Sequence, residues 1–180
     1  MKTIQLIGLA SLAVLLFRCS GTDTGLVQSE LQKIYSSISD GNFQTANEWL
    51  VPANAITESP LAEHGGQIAL FGQVRVIKTE QMGDGTEFVV YQVEIHEKNR
   101  RIYNRLDSPE YKELEKKGKI RSVNVETGVV VYAERRTAFR LLDEGDKTRY
   151  IIDPSPEALQ AYLGNKTKQA QQLMAKYGGQ

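Results

Sequence analysis

Between Leu26 and Ser39 the apolar positions are Val27, Leu31, Ile34, Tyr35 and Ile38. Steps of three and four place them on one face of a helix. Asp40-Gly41-Asn42 ends it, with Gly41 free to take a left-handed cap and Asn42 able to cap a second helix. That helix is expected from Phe43 to Leu50, with Phe43, Ala46 and Leu50 on one side. Ser59-Pro60 reads as a third start signal, for a short helix from Leu61 towards Leu70 that Gly65-Gly66 weakens. Gly72 then opens a strand running to Glu80, and Gly83-Asp84-Gly85 marks a hairpin. The next strand, Glu87 to His96, alternates: Val89, Tyr91, Val93 and Ile95 face one way, Val90, Gln92, Glu94 and His96 the other.

Glu97 to Lys119 is the most charged stretch, and Ser108-Pro109-Glu110 starts a polar helix in it that Gly118 ends. It reads as a solvated insertion between strands. Ile120 to Val125 is a short strand. Gly128 to Leu142 is a long one, expected to bend or bulge at Arg135-Arg136 because charge interrupts an apolar strand there. The chain turns at Asp143-Glu144-Gly145-Asp146, and Thr148 to Ile152 returns antiparallel. Asp153-Pro154-Ser155-Pro156 then caps a last helix, Glu157 to Tyr177. Its stripe of Leu159, Leu163, Ala170, Leu173, Met174 and Tyr177 either covers the chain's own sheet or is offered to a partner.

The N-terminus has a different pattern. Lys2 precedes an apolar run, Ile4 to Phe17, broken only by Gln5, Gly8 and Ser11. Its length suits a secretory leader, about 7–15 apolar residues, and falls short of the roughly 20 that span a bilayer. Leu15-Leu16-Phe17-Arg18-Cys19-Ser20 resembles a bacterial lipobox, although bulky Phe17 and charged Arg18 stand where that pattern has small residues. The resemblance implies a signal peptide over 1–18, an acylated Cys19, and a flexible tether over 19–25. An α+β domain over 26–153 and a C-terminal helix with a frayed tail over 154–180 complete the chain. Two or three acyl chains, at about 0.8 kcal/mol per buried CH₂, would hold the domain on a membrane. Ser20, in place of an acidic retention residue, points to the outer membrane of a bacterial envelope, with the domain in the periplasm or at the cell surface.

Charge and chemistry narrow the picture. Lys plus Arg is 22 and Asp plus Glu is 22, so the chain has no bulk attraction for nucleic acid. The basic stretch Lys98-Asn99-Arg100-Arg101, with Arg105, is flanked by Glu94, Glu97, Asp107 and Glu110 and reads as a solvated loop. With 2 His and 1 Cys, far apart, no metal-ligand spacing exists. No nucleophile elbow, dinucleotide-binding or phosphate-loop pattern is present, so no cofactor is expected.

The run Ile38-Ser39-Asp40-Gly41-Asn42-Phe43 leads through further helices into a hairpin. The chain then closes with Thr137-Ala138-Phe139-Arg140-Leu141-Leu142 against Arg149-Tyr150-Ile151-Ile152-Asp153. This resembles the exported domains of the nuclear transport factor 2-like superfamily. The fold so implied is α+β: N-terminal helices packed on a curved antiparallel sheet, a cone, here with an inserted charged helix and a C-terminal helix. The superfamily includes isomerases, cyclases, secretion scaffolds and lipoproteins, so fold alone does not fix function.

The reading that follows is a lipid-anchored, non-enzymatic binding or scaffold module of the envelope. Trp49, Phe71, Tyr91, Val93 and Phe139 would line its pocket. Its partners would be an envelope protein, a small apolar ligand, or a second copy meeting it through the sheet. The alternative is an isomerase- or cyclase-like enzyme with a pocket Asp or His as general base; its candidates are His64, His96, Tyr35, Tyr91 and Asp40.

Overall fold

The computed structural model describes residues 23–58, 68–83, 85–98, 109–142, 147–152 and 154–178. Cys19 and the leader, the helix expected after Ser59, His64, and the basic stretch from Asn99 to Arg105 lie outside them.

Helix α1 spans Thr24–Ser39. Asp23 caps it, its Oδ1 accepting from the N–H of Gly25 at 2.9 Å and of Leu26 at 3.3 Å. Thr24 and Gly25 therefore belong to the helix and not to a tether, because the Asp23 carboxylate satisfies N–H groups that have no intrahelical acceptor. The expected stripe of Val27, Leu31, Ile34, Tyr35 and Ile38 is buried. Gly41 takes φ 71°. Asn42 caps α2, accepting from the Thr45 N–H at 3.2 Å.

Helix α2, Phe43–Asn47, is shorter than its sequence pattern. Trp49 and Val51 leave it to join the sheet: the Tyr150 N–H donates to Trp49 O at 2.7 Å, and the Val51 N–H to Tyr150 O at 3.0 Å.

The strands are β1 Ile68–Gln81, β2 Thr86–Lys98, β3 Ile120–Asn124, β4 Val129–Leu142 and β5 Thr148–Ile151. They form one antiparallel sheet in the order β1-β2-β4-β3, with β5 also on β4. Residues 68–70 are strand rather than the end of a helix. Gly72 does not open β1; it lies inside it, in a bulge between Phe71 and Val74. A Cβ at Gly72 would sit 2.4 Å from His96 Nε2 and 3.2 Å from Glu94 Cβ, so a larger residue in this bulge would have to push the His96 ring aside.

The bulge expected at Arg135-Arg136 does not occur. β4 keeps continuous register against β2, with Glu134 opposite Val93, Arg135 opposite Gln92 and Arg136 opposite Tyr91. The irregularities that help to curve the sheet fall in β1 instead, at Phe71/Val74 and Val76/Lys78.

Alternation along β2 builds a core on each face. On one, α1 and α2 bury Leu31, Ile34, Tyr35 and Ile38 against Phe71, Val74, Val89, Tyr91, Val93 and Tyr150. On the other, Phe88, Val90, Phe139, Leu141 and Ile151 meet α4, Pro156–Leu163, and α5, Thr167–Tyr177. The C-terminal stripe thus covers the chain's own sheet. It is two helices, joined by a 3-10 turn at Gly164–Lys166. Ser155 caps α4, accepting from the Ala158 N–H at 3.2 Å. The inserted polar helix is α3, Pro109–Lys116. Among the described residues no helix is long and apolar enough to cross a membrane.

The free edge of β1 is closed by side chains from α1. The Val76 N–H donates to Gln28 Oε1 at 3.1 Å, and the Val74 N–H to Gln32 Oε1 at 2.8 Å. Gln32 Nε2 donates to Gly72 O at 3.0 Å, and the Phe71 N–H donates to Ser39 Oγ at 2.7 Å. Open strand edges recruit other strands, and here a helix supplies the missing partners.

Candidate functional site

Two polar assemblies lie between α1 and the sheet. The first is sealed. Arg140 of β4 donates from Nε to Glu30 Oε2 at 2.8 Å and from Nη2 to Glu30 Oε1 at 3.1 Å. Its Nη1 reaches Glu87 Oε2 at 3.3 Å. Tyr150 donates its hydroxyl to Glu30 Oε2 at 2.5 Å, and Gln81 donates to Glu87. All of Glu30, Glu87, Arg140 and Tyr150 are buried. Burial opposes the charge on Arg140, but hydrogen bonding and charge from Glu30, then Tyr150 and Glu87, outweigh it and raise its pKa. Burial, then the Glu30 contact, raises that of Tyr150. None of these four side chains lines the cavity described next. The cluster seats α1 on the sheet.

The second assembly borders a cavity of about 540 Å³, within the range of roughly 300–1,000 Å³ typical of small-molecule sites. The cavity lies where the sheet is incomplete. β3 pairs with residues 129–132 of β4, and β5 with residues 139–142. Between them, no described strand covers the outer edge of β4. The Ala133 N–H points outward, donating to Lys119 O at 2.7 Å. Because main-chain polar groups alternate sides along a strand, those of Arg135 and Thr137 point outward too.

Tyr35, Ile38, Phe71, Ile56 and Ile152 give the cavity an apolar lining, and Arg135, Arg136, Thr137 and Asn54 a polar one. It extends as far as Pro154 and Gly178, at the start of α4 and the end of α5. Arg136 lies over the rings of Phe71 and Tyr35, at 5.4 and 5.8 Å. It donates to Glu134 Oε2 from Nε at 3.0 Å and from Nη2 at 2.6 Å, and to the Tyr35 hydroxyl at 3.4 Å. That hydroxyl in turn meets Tyr91 OH at 2.6 Å. Burial opposes the Arg136 charge, yet the Tyr35 oxygen and then Glu134 hold its pKa above the ordinary value. Burial, reinforced by Tyr35, pushes Tyr91 well up, so both its phenol and the guanidinium keep their protons at neutral pH.

Arg135 differs from its neighbour. Its Nε is buried and makes no hydrogen bond, and among the described residues no carboxylate pairs with it. The described lining contains no carboxylate, imidazole or thiol.

Of the residues expected to line the pocket, Phe71 does so. Tyr91 and Val93 are buried in the same core cluster, and Trp49 packs against it. Phe139 is on the opposite face, under α4 and α5, because its place in the β4 alternation turns it away from α1. Among the candidate bases, Asp40 follows the last turn of α1, its N–H bonded to Ser36 O at 2.9 Å. His96 lies beside Glu94 at 3.5 Å, on the face away from Tyr91. No group of three His, Cys, Asp or Glu among the described residues could hold a metal ion.

Sequence pattern alone missed Arg135, Arg136, Asn54 and Ile56 as cavity residues. The available signal was the arginine pair itself, two charges in the middle of an otherwise apolar strand. Compared with family models, curated proteins and solved structures, the chain finds no match.

Proposed function

We propose that this chain is a membrane-anchored binding module of a bacterial envelope, held by lipid on Cys19, that takes a small molecule in the cavity beside β4. The observation that carries the binding reading is the cavity itself. It has apolar walls, two arginines and an uncovered strand edge, and its described lining residues include Tyr35 but no carboxylate or imidazole. Such a site can hold and orient a ligand, whereas isomerase- or cyclase-like chemistry calls for a general base within reach of the substrate.

The anchor rests on the leader pattern and on Cys19 directly after it. The finer architecture belongs to the same proposal. A long N-terminal helix across a curved sheet, followed at Asp-Gly-Asn by a second helix, fits a nuclear transport factor 2-like cone. For a second copy or an envelope protein docking on the sheet, α4 and α5 already occupy the Phe88 and Val90 end. The half-exposed Gln92, Glu94 and His96 end is the part left for such a contact.

Membrane fractionation and mass spectrometry of the native chain test this reading. The expected result is a membrane-bound chain beginning at acylated Cys19, from which denaturation releases a small molecule. Filling the cavity with Ile56→Trp should abolish that release. A water-soluble chain with a free thiol would overturn the anchor, and equal release from the filled variant would overturn the site.

A further inference from the structure

We propose that the open half of the sheet face turned away from α1 docks an acidic, amphipathic segment of a partner protein. Arg75, Arg121 and Arg135 are the residues that receive its carboxylates. The docking face is independent of the cavity, but the choice of a protein over a bilayer rests on the anchor reading above.

Register builds the surface. Gln92 on β2 stands opposite Arg75 on β1 and Arg135 on β4. The alternation that turns Phe139 away from α1 therefore turns both arginines the same way. A third, Arg121 of β3, donates from Nη2 to Gln92 Oε1 at 2.9 Å. Arginines from three strands thus surround one glutamine. Arg75 and Arg121 are exposed, and Arg135 is half-buried. Among the described residues neither Arg75 nor Arg135 has a carboxylate partner. Glu94 is the one carboxylate described on this half of the face, and it lies 3.5 Å from His96. Three positive charges stand against one negative.

Beyond the arginines the face is apolar and low. Leu70, 44% exposed, lies opposite His96, which also pairs with Val131 of β4. Gly72 and Ala133 lie on either side of Glu94 and add little bulk. α4 and α5 cover only the Phe88 and Val90 end. Arginine beside exposed apolar side chains is the composition of protein–protein interfaces, and its planar fork suits a carboxylate. A segment with acidic side chains for the arginines and an apolar one for Leu70 complements this surface in both respects. The bilayer is the poorer occupant. α1 lies on the other face of the sheet, and residues 20–22 are all that separate Cys19 from its cap, Asp23. That tether spans about 14 Å at most. Lipid on Cys19 would bring the bilayer to the α1 side and leave the arginine face to a protein.

The experiment is fluorescence-anisotropy titration of the full chain in phosphatidylcholine nanodiscs with a labelled peptide of alternating Glu and Leu. The same peptide with Gln in place of Glu is the control, and empty nanodiscs are the blank. At low salt the Glu peptide is expected to bind about tenfold tighter, from three exposed ion pairs at about twofold each. Added salt should shrink the difference. Arg75→Gln with Arg121→Gln should remove it and leave the melting temperature unchanged. Lys147→Gln with Lys168→Gln, two exposed lysines outside the row, should leave it intact. Equal binding of the two peptides overturns the proposal, and so does equal loss from the lysine variant. If glycerol phosphate displaces the peptide at matched ionic strength, the face serves phosphate headgroups and the proposal fails. It fails too if the chain in detergent gains mass with concentration and the arginine variant stops it, since a second copy is then the occupant. The mass of the same preparation reports acylation of Cys19 by itself, so a missing anchor and a failed docking face are separate results.

Discussion

Arg140 on β4 grips Glu30 on α1 through two parallel hydrogen bonds, at 2.8 and 3.1 Å, with both side chains almost fully buried. The pair joins positions 110 residues apart in the chain and fixes how α1 lies on the sheet. Each remaining carboxylate oxygen finds a donor: Tyr150 also serves Glu30, and Arg140 and Gln81 serve Glu87. A buried ion pair gives little net stability over apolar packing, but breaking one strands its partner charge.

Arg140→Met should therefore destabilise the fold by about 3–5 kcal/mol, because it leaves two carboxylates buried without their cation. Urea denaturation measures the loss. Replacing Glu30, Glu87 and Arg140 with Leu, Leu and Met, together with Tyr150→Phe, should recover most of it. Equal damage from the single and the combined variant would contradict this account.

Gln32 bonds to Val74 N–H and Gly72 O, so it closes the β1 edge from both its amide atoms. Gln32→Leu should cost about 2 kcal/mol for the main-chain groups it leaves unpaired. The variant should also gain mass with concentration in light scattering, since a freed edge pairs with other edges. A variant whose mass stays constant would show that α1 guards the edge by bulk alone.

Tyr91 and Tyr150 have pKa values raised by burial. Unfolded tyrosine ionises near pH 10, and these phenols do not while the chain is folded. Their contribution to stability is therefore complete below about pH 10 and shrinks as pH rises above it. In absorbance titration at 295 nm, at least two of the 8 tyrosines should ionise only as circular dichroism collapses. Complete ionisation ahead of that collapse would refute the assignment.

Leu159, on the buried side of α4, is 2% exposed and belongs to the core cluster of Val90, Phe139 and Ile151. Leu159→Ala should cost about 3 kcal/mol, through lost burial and the cavity left behind. Ending the chain after Pro154 should do more, uncovering Phe88, Val90 and Phe139 together. The truncated chain should bind the dye ANS and lose its cooperative melt. A truncated chain that melts as sharply as the intact one would show that α4 and α5 are dispensable to the core.

Gly41 and Asn42 were legible as punctuation between helices, and the two faces of β2 from simple alternation, because caps and periodicities depend on residues a few positions apart. The inserted helix after Ser108 and the start of α4 at Ser155 were legible for the same reason. Gly72 was not: as a sequence signal it opens a strand, but its role in β1 depends on His96 on the neighbouring strand. Arg135-Arg136 likewise read as a local distortion, whereas β4 runs straight through them in register with β2.

The sequence by itself determined the α+β class, the helix boundaries set by caps, and which residues of β2 share a side. Each of these is a contest between neighbouring residues and water, and local spacing decides it. Only the tertiary structure decided that Phe139 lies under the C-terminal helices and that Arg140 meets Glu30. It alone set β3 and β5 apart along β4, leaving Arg135 and Arg136 beside a cavity. Those outcomes follow from the register of distant strands, and register is fixed by the packing of the whole core.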